Sequence, residues 1–279
     1  MSNRNFQRLL AAKWAEGKFL CIGLDPIHDK LPDFLKTGNI SKELFEFNRD
    51  IIDATFDLVC AYKPNTAFYE AFGDAGILAL QRTVDHINTV APDVPVIIDA
   101  KRGDIGNTNQ RYCEFVFDHL KGDAVTIHPY LGREAVQPFL DYSEKGIFVL
   151  CRTSNPGAGE FQDLRILKTE TVPLYLQVAD NVSRSWNENK NCGLVVGATY
   201  PQEIGSIRAV APEVPFLIPG IGTQGGDVEA AVKNGRNSDG TGFIINSSSG
   251  IIFASSGPDF AEAARKKAYG LNHEIRAVN

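Results

Sequence analysis

A chain of 279 residues is within reach of a single α/β barrel, and 43% hydrophobic against 22% charged residues describes a globular protein able to bury a full core. The formal net charge of −6 offers no basic footprint, so nucleic acid is excluded as an expected partner, and no apolar run approaches the length of a membrane helix. Five cysteines, Cys21, Cys60, Cys113, Cys151 and Cys192, lack Cys-x-x-Cys or Cys/His spacing, which fits free thiols packed in a core in a reducing compartment. The amino-terminal residues read as a short amphipathic segment without the long apolar stretch of a signal peptide, so cytoplasm is the expected location.

In chain order, a β-rich run over Phe19 to Leu24 precedes a helical pattern over Lys42 to Phe56, and Leu58 to Tyr62 precedes Gly76 to Val90. The alternation continues with Val94 to Ile98 and Thr108 to Leu120, then Ala124 to Ile127 and Arg133 to Tyr142. Gly146 to Cys151 is followed by an irregular stretch, Thr153 to Lys168, whose Ser154-Asn155-Pro156-Gly157-Ala158-Gly159 centre has the chemistry of a lid loop. A helix over Val172 to Trp186 follows, then Gly193 to Gly197 with Pro201 to Val210, Val214 to Ile218 with Asp227 to Asn234, and a last strand over Gly242 to Ile245. Eight strand-like runs separated by helices predict a (β/α)8 barrel of the TIM type, one domain over residues 1–279, with a doubly wound sheet as the alternative.

The run Val94 to Ile98 ends in Asp99-Ala100-Lys101-Arg102-Gly103-Asp104 instead of a plain turn. Side chains two apart on a regular strand share a face, so Asp99 and Lys101 are expected to project together, with Asp104 joining from the loop. Charges at a strand end are commonly just solvated, but here other strand ends supply Asp25 and Lys63, and in a barrel these ends converge. Lys63, in Ala61-Tyr62-Lys63-Pro64-Asn65, needs an anionic partner to stay charged among apolar neighbours, or else snorkels outward. The seventh unit carries Pro219-Gly220-Ile221-Gly222-Thr223-Gln224-Gly225-Gly226-Asp227, a Gly-rich turn into a helix at the place where barrels commonly hold phosphate. Five dispersed histidines show no metal-ligand spacing, and His128, ending a strand, reads as an orienting or structural residue.

Six ordered segments together resemble the orotidine 5′-phosphate decarboxylase family in its longer bacterial form. They are Gly23-Leu24-Asp25-Pro26, Tyr62-Lys63-Pro64-Asn65, Asp99 to Thr108, Thr153 to Ala158, Pro219 to Asp227 and Asn246-Ser247-Ser248. The resemblance implies a (β/α)8-barrel homodimer that converts orotidine 5′-monophosphate to UMP and CO2 in pyrimidine nucleotide biosynthesis, with neither metal nor organic cofactor. It also implies a charge network of Lys63, Asp99, Lys101 and Asp104, with Lys101 as proton donor and with Asp104 and Thr108 reaching the neighbouring subunit's site. Asp25 would bind the ribose with Lys63, Ser154 the pyrimidine, and Gln162 would bridge from the lid to the phosphate. Gly222, Thr223, Gly225, Gly226, Ser248 and Ser249 complete the implied substrate-binding set.

One position departs from the family pattern: after Asn246-Ser247-Ser248, where an arginine is expected to grip the phosphate, the chain has Ser249. A serine cannot make the bidentate, charge-assisted contact. A replacing cation such as Arg236 is expected beyond its helix, at the far end of the barrel. Two other functions share parts of the pattern. A magnesium-dependent sugar-phosphate decarboxylase or aldolase would need acidic ligands where this chain has Lys63. A phosphate-binding relative without turnover would have no physical need for two costly Lys/Asp pairs.

Overall fold

The computed structural model describes residues 4–167, 171–221 and 226–279. Its strands are β1 (Leu20–Leu24), β2 (Ala61–Pro64), β3 (Ile97–Arg102), β4 (Ala124–Ile127), β5 (Gly146–Arg152), β6 (Arg165–Leu167), β7 (Thr171–Pro173), β8 (Cys192–Val196), β9 (Phe216–Pro219) and β10 (Phe243–Ser247). Eight of them form one sheet in the order β2-β1-β10-β9-β8-β5-β4-β3, every pair parallel, while β6 and β7 make a separate antiparallel hairpin. The bridges Tyr62 to Val96 and Asn65 to Asp99 return β3 to β2, which closes the expected (β/α)8 barrel.

The helices are α1 (Phe6–Ala15), α2 (Ile40–Thr55), α3 (Ala67–Glu70), α4 (Gly73–Val90), α5 (Gly106–Cys113), α6 (Gly132–Leu140), α7 (Gly159–Gln162), α8 (Leu174–Asn181), α9 (Pro201–Val210), α10 (Val228–Gly235), α11 (Ser249–Ile252) and α12 (Phe260–Val278). None is long and apolar enough to cross a membrane. Apolar residues divide between two cores. The larger lies between the outer faces of the strands and the helices, with Phe47, Val84, Phe139 and Ile204 among its members. The smaller fills the barrel, where Cys21, Ile97, Ala124, Phe148, Leu217 and Ile244 meet Phe6 and Leu10 of α1.

Helix α1 closes the amino-terminal mouth of the barrel. Asn5 caps it by accepting the Arg8 N–H, Phe6 packs edge-on to Phe148 at 5.6 Å, and the Arg4 guanidinium meets Asp123 at 2.7 Å. Sealing one mouth leaves the other, at the carboxyl ends of the strands, as the open end.

Several boundaries differ from those read in the sequence. The expected helix over Val172 to Trp186 begins only at Leu174, because Thr171–Pro173 pairs with Arg165–Leu167 as a strand. Thr171 and Val172 are β-branched, and Pro173 suits the position just before a helix better than its interior. Residues Val182–Trp186 and Glu114–His119 complete their helices as π-helical turns. The irregular lid contains the short α7 and β6. Helix α4 starts at Gly73 after a separate turn of helix, α3, and α10 starts at Val228 with Asp227 as its cap. Strands β2, β3 and β5 also run on past Tyr62, Ile98 and Cys151, so Lys63, Asp99 and Lys101 lie within strands and not beyond them.

Candidate active site

Small and apolar residues fill the lower barrel, whereas the same inward phase turns polar near the open end. Cys21 pairs in register with Ala61, and one step higher Gly23 pairs with Lys63. Gly23 has to be glycine, since a Cβ there would lie 2.7 Å from the Cβ of Ser248. That absence of a side chain leaves room for Lys63, Asp99 and Asn246 to line one cavity of about 280 Å³ with Asp25, Ser248 and Ser249. A second cavity of about 380 Å³ shares Lys63, Asp99 and Pro219 with the first and extends past Lys101 and Thr126 to Thr153, Ser154, Asn155 and Gln162.

Asp99 stands where the two cavities meet. Its Oδ2 accepts from Lys63 Nζ at 2.8 Å, and its Oδ1 accepts from Lys101 Nζ at 2.6 Å and from Thr126 Oγ1 at 2.8 Å. Burial opposes ionisation of Asp99, but the Lys63 and Lys101 charges outweigh it and hold the carboxyl well below the usual carboxylate range. Burial likewise pushes Lys63 down, and the carboxylates of Asp99 and Asp25 overcome it to hold the ammonium above the ordinary lysine range. The two lysines differ in access: the Lys63 side chain is 5% exposed and that of Lys101 47%. Lys101 therefore presents its charge to whatever fills the open mouth.

Asp25 is held by both oxygens, Oδ1 by the Asn65 N–H at 3.2 Å and Oδ2 by the Ser248 hydroxyl at 2.6 Å. The same hydroxyl also lies 3.1 Å from Gly23 O, with the shorter contact to the Asp25 carboxylate. In the lid, the Gln162 amide clasps Thr153, accepting its N–H at 2.8 Å and donating to its hydroxyl at 2.9 Å. The buried Arg152 guanidinium pairs with Asp163 at 3.0 Å and lies over the Tyr200 ring, which ties the lid to the end of β5.

A family model described as "Orotidine 5'-phosphate decarboxylase / HUMPS family" matches residues 18–266. The chain belongs to this family. An orotidine 5′-phosphate decarboxylase from Cellvibrio japonicus is 48% identical over 272 residues, 98% of each chain. The solved OMP decarboxylase of Leishmania donovani superposes with a TM-score of 0.83 at 37% identity, covering 99% of this chain and 100% of that one. The solved UMP synthase of Leishmania donovani gives a TM-score of 0.85 at 39% identity, and the chain spans 98% of its own length but 56% of that protein's.

Of the residues matched to the decarboxylase pattern, Asp25, Lys63, Asp99, Lys101, Ser154, Gln162, Ser248 and Ser249 line the two cavities. Asp104 does not join them within the chain. Its Oδ1 turns back onto the Ile105 N–H at 2.8 Å, and its own N–H is held by Asn109. The expectation that Asp104 reaches Lys101 from the loop is therefore corrected for the single chain: Asp104 is taken up by the turn just before α5, which starts at Gly106 and carries the exposed Thr108. Gly222, Thr223 and Gly225 lie outside the described residues, while Gly226 pairs with Ile221 and donates to Gly220 O at 3.2 Å. Arg236 follows the last residue of α10 and donates to the carbonyl of Asn279, at the opposite end of the barrel from Ser249. Sequence reading passed over Thr126 and gave Asn246 no role beyond its place in a matched segment. Both sit at inward phase directly above an apolar core residue of the same strand, Ala124 and Ile244, which is the signal that identifies them.

Proposed function

We propose that this protein decarboxylates orotidine 5′-monophosphate to UMP and CO2, and the observation that carries the proposal is the Lys63–Asp99–Lys101 array at the junction of two cavities. Breaking the bond from ring C6 to the carboxylate leaves an electron pair on a carbon with no delocalising sink. An enzyme for this reaction has to supply stabilisation toward the upper part of the usual range, roughly 20 kcal/mol. An ammonium fixed beside a carboxylate meets that demand by electrostatics, since it neither moves nor reorganises solvent as charge develops.

In this mechanism CO2 departs, the pair remains on C6, and Lys101 Nζ gives up a proton to it, to be reprotonated from solvent. Asp99, beside the departing carboxylate, opposes the ground state by like-charge repulsion. Asp25 and Lys63 bind the ribose hydroxyls, Ser154 the pyrimidine, and Gln162 links the lid to the phosphate held near Gly222, Thr223, Gly225, Gly226 and Ser249. Closure of the lid draws on phosphate binding, so the phosphate serves rate as well as affinity.

The working unit is a homodimer, in which the partner subunit's Asp104 completes the charge network and the partner subunit's Thr108 enters the site. Two features support this. Asp104 makes no pair with Lys101 in its own chain, and the loops beside it expose Ile105 at 60% and Tyr130 at 82%. The five cysteines carry free thiols, which suits a cytoplasmic enzyme.

The test is the ultraviolet absorbance of orotidine 5′-monophosphate incubated with the purified protein, with UMP and CO2 identified as products. Loss of the substrate band in step with UMP formation is expected. Unchanged nucleotide after binding has been verified would overturn the assignment.

A further inference from the structure

Strand β3 does not end as a regular strand. Ile98 pairs with Val125 and Arg102 with Ile127, so the segment from Ile98 to Arg102 is accommodated opposite only Val125 to Ile127. The excess is taken up as a bulge that contains Lys101, at φ 46°. Lysine keeps such a left-handed backbone only where neighbouring groups hold it.

Thr126, 1% exposed on β4, supplies that hold. Its Oγ1 accepts the Lys101 backbone N–H at 3.0 Å and donates to Asp99 Oδ1 at 2.8 Å. The direction of the hydroxyl proton is fixed, because an N–H can only donate and a carboxylate can only accept. The same Asp99 oxygen takes the Lys101 ammonium at 2.6 Å, so backbone, hydroxyl, carboxylate and ammonium close a ring. Across the same bulge His128 lies against Gly103, where a Cβ would come within 2.2 Å of Nε2, and its N–H is bonded to Arg102 O at 3.0 Å. The loop is thereby clamped on both sides of Lys101.

We infer that Thr126 is a positioning residue for the decarboxylation, holding the Lys101 ammonium and the Asp99 carboxylate in register through a single buried hydroxyl. The inference rests on the functional reading above, in which Lys101 is the proton donor. Thr126 itself needs no contact with the reacting atoms.

Thr126→Val removes the hydroxyl at nearly constant volume. With the wild type active, kcat is expected to fall roughly 10- to 100-fold, the scale of one lost hydrogen bond to a charged group, with KM within about threefold. Thr126→Ser should recover most of the rate, and a Ser/Ala comparison reads the same hydroxyl if the valine variant folds poorly. Equal kcat in the hydroxyl-bearing and hydroxyl-free variants would overturn the role. A readout free of turnover separates this inference from the functional reading. Crystal structures without substrate should show Lys101 Nζ beyond about 3.5 Å from Asp99 in Thr126→Val, and an unmoved Lys101 would reject the proposal whatever the wild type catalyses.

Discussion

Lys63 and Asp99 sit on adjacent barrel strands with the ammonium 2.8 Å from the carboxylate, and neither side chain is more than 8% exposed. A buried pair of this kind adds little net stability over an apolar pair but is costly to break, since the partner left behind is an unpaired charge in a poorly solvated site.

Stability should therefore depend on pH at both ends. Asp99 is depressed in the folded protein, so its contribution is present above the unfolded carboxyl value near 3.9 and is lost as pH falls through the folded one. Lys63 is displaced upward, so its contribution is full below the unfolded lysine value near 10.4 and is lost as pH rises through the folded one. A urea midpoint flat from about pH 5 to 9 and falling below about pH 4 is expected. Asp99→Ala should flatten the acid limb and cost about 3 kcal/mol at neutral pH. A wild-type midpoint in that variant would show that Lys63 is stable without its partner.

Lys101 is 47% exposed, so its removal should barely disturb the fold. Lys101→Ala is expected to keep the melting temperature within a few degrees while turnover drops more than about a hundredfold, the minimum for loss of a general acid. Greater residual activity in a folded variant would assign the proton to another group.

Asp104 makes no ion pair with Lys101 in its own chain, its Oδ1 accepting the Ile105 N–H instead. Mixing inactive Lys101→Ala with inactive Asp104→Ala protein should restore activity, because one site of each heterodimer then receives both intact residues. No recovery after mass spectrometry has verified subunit exchange would mean that Asp104 serves its own chain.

Ser249 lines the cavity with Asp25 and Lys63, and on the proposed function it stands where the resemblance implies a phosphate-gripping arginine. Ser249→Arg should tighten nucleotide binding at least about tenfold, since one charge-assisted contact of about 1.5–3 kcal/mol corresponds to roughly 10- to 150-fold. Calorimetric titration with UMP and with uridine checks this, because only the nucleotide meets the new guanidinium. An equal gain for both, or none, would place the phosphate elsewhere.

Much of this site was legible in the chain because barrel geometry maps the carboxyl ends of successive strands onto one mouth. Asp25, Lys63, Asp99 and Lys101 needed only that rule to be grouped. The pairing of Asp99 with Lys101 was anticipated for an incomplete reason, since simple alternation was assumed and the contact is made through a bulge with Lys101 at φ 46°. The helix over Val172 to Trp186 was overextended because apolar periodicity does not register a three-residue strand that finds its partner in the lid.

The sequence by itself determined the alternation of eight strand-like runs with helices, and with it the expectation of a barrel, and the identities of the charged residues at the strand ends. These follow from local chemistry: β-branched runs, helical periodicity, and charges that interrupt apolar strands. Only the tertiary structure decided that the Ser248 hydroxyl reaches Asp25, that Asp104 bonds the Ile105 N–H and not Lys101, and that Thr126 ties the Lys101 backbone to Asp99. Each depends on the distance and direction between residues on different elements. A hydroxyl or carboxylate is recruited by whichever donor or acceptor the packed barrel brings within about 3 Å, and sequence separation carries no record of that.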